Sequence, residues 1–276
     1  MLHRSLGARV KSSRLPRARV IIYTPAMALA RLQADPTHPH PKPIETPLSL
    51  EHRTALRTQL LAETPRWYVP WVHLFVPSLV GIAAIVVALT CLRDLRPVEL
   101  LTVPLVYLFA NVFEWWIHGH ALHRRHPLAP VLYDQHTPKH HMLYLTDDMA
   151  MRDTREYRLV LIPAYGLFLI FAGQIPVTLG LWWLGLPNVA CLYVATSIGY
   201  AVSYEWLHFS YHLPHEHPVA RNPIILRLAH HHAVHHDPRI MQRYNLNVTV
   251  PLMDLVMGTA VDSTETAILR RRVSES

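Results

Sequence analysis

Histidine is the residue type whose number and placing in this sequence call for chemistry. There are 21 in 276 residues, and most fall in spaced groups between Glu114 and Asp237. The first group contains Glu114, His118, His120 and His123, followed by His136, His140 and His141; the second contains Glu205, His208 and His212, followed by His232, His235 and His236. Residues three and four apart share a helix face, so His208 with His212, His136 with His140, and His232 with His235 and His236 each turn imidazoles toward one point. His118 and His123 are five apart, a step that strains a regular helix and suits a pair straddling two metals or a helix end.

Imidazole is the commonest biological metal ligand and suits zinc, iron, copper and nickel. A tetrahedral zinc takes about four ligands. The ten candidates here, His118, His123, His136, His140, His141, His208, His212, His232, His235 and His236, therefore imply two ions close together. Glu114 and Glu205 sit three or four residues before a proposed ligand, at the membrane end of an apolar stretch. A ligating histidine commonly donates its other N–H to an acid, and an acid at the hydrocarbon edge is costly unless partnered, so both are candidate catalytic or supporting carboxylates. Asp237 and Asp254 are further candidates, for which a helix-end or solvated role is an equal alternative. The triple His230-His231-His232 leaves its register open, since His231 to His235 is also a four-residue step.

The surrounding chain suits a membrane. Half of the residues are hydrophobic (51%) and only 16% are charged, too few charges to cover a soluble domain. Residues 72–92 carry no charge and are long enough to cross a hydrocarbon core of about 30 Å. Residues 98–117 are apolar apart from Glu99 and Glu114, and 159–186 are apolar throughout, with Pro163 and Pro176 as kinks before a turn at 185–188 and a return over 189–207. All seven tryptophans fall at the ends of these runs, where a bilayer interface favours them. Lys and Arg number 11 in residues 1–70, 6 in 114–158, 7 in 204–276 and two elsewhere, which by the positive-inside rule puts both termini in the cytoplasm. An even number of spans then separates the two histidine groups, so they emerge on one face and can meet.

The expected architecture is all-α: a multi-pass membrane protein of about four transmembrane helices, with a cytosolic helical cap carrying the histidines. Its parts are a disordered basic tail over 1–45, an interfacial helix over 46–70 opened by Thr46 and Pro47, the membrane domain over 71–262 and a C-terminal tail over 263–276. The tail also fits a transit peptide or a true start at Met27. The basic residues form no stripe, which argues against nucleic acid, and the two cysteines lie inside apolar stretches and offer no disulfide framework.

From about Pro104 to Thr259, more than half of the chain, the order and spacing resemble the fatty acid hydroxylase and sterol desaturase superfamily of membrane di-iron enzymes. Glu114 to His123 looks like the first motif of that family, His136-xxx-His140-His141 like the second, Tyr204-Glu-xx-His208-xxx-His212 like the third and His232-xx-His235-His236 like the fourth. The segment from Asn245 to Thr259 is similar to the family's closing segment. The second motif commonly has two residues before its paired histidines and here has three.

The resemblance implies two iron ions, replaceable by zinc in purified protein, with O2 as co-substrate for oxidation of an unactivated C–H bond of a lipid drawn from the bilayer. It implies an inner-membrane or endoplasmic-reticulum location. No His-Pro-Gly-Gly segment is present, so electrons would come from a separate b-type cytochrome, ferredoxin or similar carrier. Hydroxylation of an acyl chain or sterol, desaturation, and oxidation of a carotenoid or aminolipid remain alternatives within the class. A metal transporter and a structural zinc protein are alternatives outside it.

Overall fold

A computed structural model describes residues 49–275. The expected basic tail of 1–45 and the Thr46-Pro47 helix start lie outside them. The described residues are helical, with no named strand among them. Three helical stretches are long and apolar enough to cross a membrane: Pro70–Thr90, Pro97–Leu122 and Ala164–Trp183.

Helix α1 (Leu50–Ala62) is capped by Ser49, whose hydroxyl accepts from the His52 N–H. It buries Leu56 and Leu60 together with Arg53 and Arg57. Arg53 bonds Asp147 in bidentate fashion at 3.1 and 2.8 Å. Arg57 donates to Glu156, which also accepts from the Tyr144 hydroxyl at 2.7 Å. The helix is thus riveted to the segment that follows His141.

Helix α2 (Pro70–Thr90) starts on a proline at its first turn, where no N–H is missed. Helix α3 (Thr102–Ile117) is entered through a 3-10 turn and continues as a π turn over His118–Leu122. After a short helix α4 (Pro130–Gln135) comes a second π turn over His136–His140. The expected third span starts late. Leu159, Val160 and Leu161 are buried beside Leu56, Leu60 and Tyr144 in one hydrophobic core cluster. Helix α5 (Ala164–Gly173) begins only after Pro163, and α6 (Ile175–Trp183) follows a break at Gln174 next to Pro176.

Helix α7 (Pro187–Tyr211) packs against α2, α3 and α6. Its register against α2 is antiparallel, since Asn188 bonds Arg93 at one end and Trp206 donates to Ser78 at 2.9 Å near the other. Gly81 allows close approach: a Cβ there would lie 2.7 Å from Val202 and 3.2 Å from Ile198. Helix α7 carries more polar residues than the other three apolar stretches, among them Tyr193, Ser197, Tyr200 and Ser203, and is not among the three. The outward faces of α2, α3, α5 and α6 expose large apolar side chains such as Leu79, Leu105, Phe109, Leu169 and Leu179.

Helix α8 (Pro223–His235), capped by Asn222, carries the last histidines. The chain then forms a strap, residues 245–259, that runs back along α3. Asn111 receives the Met253 N–H at 3.0 Å and donates to the Val250 carbonyl at 2.8 Å. Residues 263–276, expected as a tail, instead contain helix α9 (Thr264–Glu275), which buries Ala267 close to Val234, Ile240 and Tyr244.

Candidate metal centre

The ten candidate histidines are all buried, and they form two neighbouring sets of five. His118, His123, His136, His141 and His235 make the first; His140, His208, His212, His232 and His236 make the second. Within each set the ligand atoms lie within 4.8 Å of one another. At a metal–nitrogen bond of about 2.1 Å, ligands at right angles stand about 3.0 Å apart and opposite ligands about 4.2 Å apart. The Nε2–Nε2 separations match the shorter value: 3.0 Å for His118–His136, His136–His141, His123–His235 and His232–His236, and 3.2 Å for His140–His208.

The sets form by rules that differ from simple helix-face sharing. His208 and His212 do fall together, one turn apart at the end of α7. His136 and His140 do not, nor does His235 join His232 and His236. For His136 and His140 the reason is the π turn, which brings residues five apart onto one face; on α8, a regular helix, His232 and His236 keep the four-residue pairing while His235, one step round, turns to the first set. In the first π turn, the His123 N–H bonds the His118 carbonyl and the two rings stack at 5.0 Å. In the second, the His141 N–H bonds the His136 carbonyl, so His136 and His141 share a pocket. Neighbours in sequence then part: His140 and His141 enter different pockets, as do His235 and His236. His141 and His236 stack at 4.0 Å between the two sets. The register at the histidine triple falls on His232.

The outer nitrogens of five rings are held by main-chain carbonyls. His118 Nδ1 donates to Leu246, His140 to Leu159 at 2.9 Å, His212 to Met149 at 2.8 Å, His235 to Tyr244 at 2.9 Å and His236 to Tyr144 at 2.6 Å. A carbonyl can only accept, so each of these rings carries its proton on Nδ1 and points a bare Nε2 lone pair inward. His123 Nδ1 meets the Thr137 hydroxyl at 3.1 Å. His212 Nε2 is buried with no hydrogen-bond partner. Lone pairs converging at about 3 Å repel unless a cation lies among them, so the donor set fits two metal ions.

Burial also keeps the rings neutral. It pushes His136, His140, His141, His232, His235 and His236 well below the ordinary imidazole value, with neighbouring rings adding to the effect. It lowers His212 to about 4, against the opposing pull of its bond to Met149. Neutral imidazole is the form that binds metal.

The two carboxylates occupy other positions than expected. Glu114 accepts from the N–H groups of Val248 and Thr249 and from the hydroxyls of Thr249 and Tyr200, and bonds no histidine. Glu205 accepts the Ile162 N–H at 3.0 Å. His118, the ring nearest Glu114 in sequence, already donates to the Leu246 carbonyl, and both acids serve the backbone instead. Glu114 and Asn111 satisfy strap groups beside an apolar helix, where an unpaired N–H would be expensive. The sequence pointed to neither Thr137, Tyr200 nor Thr249 in these roles. Of the remaining histidines, His120 is exposed and stacks on Trp116, His230 contacts the Asp262 carbonyl and His231 pairs with Asp254.

An apolar cavity of about 510 Å³ lies between α2, α3 and α7. It is lined along α7 from Leu192 to Leu207, a helical rise of about 22 Å. Leu207 adjoins His208, and Tyr200 and Thr249, also in its wall, belong to the Glu114 network. No protein-family model, curated protein or solved structure matches this chain.

Proposed function

We propose that the chain is an O2-dependent membrane di-iron oxygenase that hydroxylates a C–H bond of a lipid, as the resemblance to the fatty acid hydroxylase and sterol desaturase superfamily implies. The observation that carries this reading is the pair of five-imidazole pockets, together with an apolar cavity in the helix bundle whose lining along α7 ends at Leu207, the residue before His208. In the same reading α7 is the fourth span. It lies among the others, which is why it tolerates polar residues, and the histidine cap faces the cytoplasm with the basic loops.

The two sets of histidines would hold the ions, and a bound iron pair supplies activation of O2 for attack on carbon. The chain's own part is placement. The carbonyls of Leu246, Leu159, Met149, Tyr244 and Tyr144 fix the ring orientations, and burial under α1 and the strap keeps the rings neutral. Ile85, Leu89, Val103 and Leu192 give the cavity an apolar lining suited to a hydrocarbon chain lying along α7, one end near Leu207. Electrons come from a separate carrier.

Two measurements test the proposal. Protein purified under reducing, zinc-free conditions should carry two metal ions per chain. Lipid mass spectrometry of cells with and without the protein should reveal a species heavier by one oxygen. Fewer than two ions, or a lipid profile with no oxidised product, overturns it.

A further inference from the structure

Asp254 lies at the centre of the strap, buried, with four donors around its two oxygens. Oδ1 accepts from the Leu246 N–H at 2.9 Å and the Thr259 hydroxyl at 2.6 Å; Oδ2 accepts from the Asn247 N–H at 2.8 Å and meets His231 Nε2 at 3.2 Å. The Asn247 N–H belongs to the same peptide group as the Leu246 carbonyl, and that carbonyl is the acceptor for His118 Nδ1. A continuous line therefore runs from carboxylate to peptide N–H, through the conjugated amide to its oxygen, and on to an imidazole N–H.

We infer that Asp254 is a positioning residue that acts on His118 through this one peptide group, orienting the ring and strengthening it as a ligand of the first pocket. An anion bonded to a peptide N–H raises the electron density on the carbonyl across the same resonance system. The carbonyl then accepts the ring proton more strongly, as a carboxylate bonded directly to a ligating histidine would. Among the described residues no carboxylate bonds the peptide N–H on the far side of the carbonyls that hold His140, His212, His235 or His236. The support is therefore particular to His118, and the two pockets, alike in ligand number, differ in how their ligands are backed. This rests on the reading that the histidines hold metal.

The test is chelator competition on the zinc-loaded full chain in detergent, comparing wild type, Asp254→Asn, His118→Ala and the double variant. Asp254→Asn should weaken one of the two ions by roughly 10- to 100-fold and leave the other unchanged. In the His118→Ala background the same change should have no further effect. Equal weakening of both ions, or an undiminished effect without His118, means that Asp254 only holds the strap, and overturns the inference. If Asp254→Asn does not fold, Asp254→Glu and Asp254→Gln separate charge from shape: the inference requires tighter zinc with Glu, and equal affinities overturn it. A wild-type chain that binds no zinc overturns the metal reading itself.

Discussion

His136 and His141 are five residues apart and meet in one pocket, their Nε2 atoms 3.0 Å apart, because a π turn closes between them. A regular helix would place residues four apart on that face instead. The extra residue in this motif is therefore built into the ligand geometry.

Inserting one alanine after Lys139, whose ammonium reaches only the nearby Gln135 side chain, puts His136 six residues before His141, a step that neither an α turn nor a π turn brings onto one face, and should rotate His136 away from His141. The expected result is a protein that inserts normally and holds about one ion fewer per chain, read by metal analysis of the purified protein. An insertion variant with full metal content would refute the role given to the turn.

His235→Ala should likewise remove a first-pocket ligand, abolish lipid oxidation and spare membrane insertion. Turnover equal to wild type would exclude His235 as a ligand.

Glu114→Ala leaves two backbone N–H groups and two hydroxyls of the strap and α7 without their acceptor. Each such loss costs about 1–3 kcal/mol, so the variant should melt well below wild type. Glu114→Gln, which keeps acceptor capacity without the charge, should fall between the two. An unchanged melting temperature for Glu114→Ala would contradict the clasp.

Arg57→Ala strands the buried Glu156 beside Tyr144, whose own carbonyl holds His236. Breaking a buried ion pair from one side costs roughly 3–5 kcal/mol. Limited proteolysis should then cut near α1 and between 144 and 160 in the variant sooner than in wild type.

The metal-free protein should lose stability on mild acidification. Ring pKa values depressed by burial, as at His212 and His232, mean that the unfolded chain takes up protons first, near pH 6.5. Stability is then fully present above that value and declines as pH falls toward about 4. Thermal melts of chelator-treated protein between pH 7.5 and 5 check the sign: melting that is flat or rises on acidification would contradict buried neutral rings.

The apolar stretches were legible because a run of about 20 uncharged residues has few other uses, and the ten histidines because so many spaced imidazoles exceed any structural need. Their division into pockets was not legible, since the four-residue rule fails at π turns and adjacent residues such as His140 and His141 point about 100° apart on a helix. Glu114 looked like a partner for His118 because only local spacing is visible in a sequence. Its real partners, Val248 and Thr249, lie far along the chain. The start of α5 was misplaced because Leu159 to Leu161 are as apolar as a span, though they fill the core under α1.

The distribution of the ligands along the chain sets the order of maturation. The first pocket needs His235 and the second His236, so neither set of five is complete until the chain has been made past α8. Until that moment the nascent protein offers only incomplete sets of imidazoles. On the proposed reading, metal loading is therefore a finishing step that follows the making of every helix up to α8.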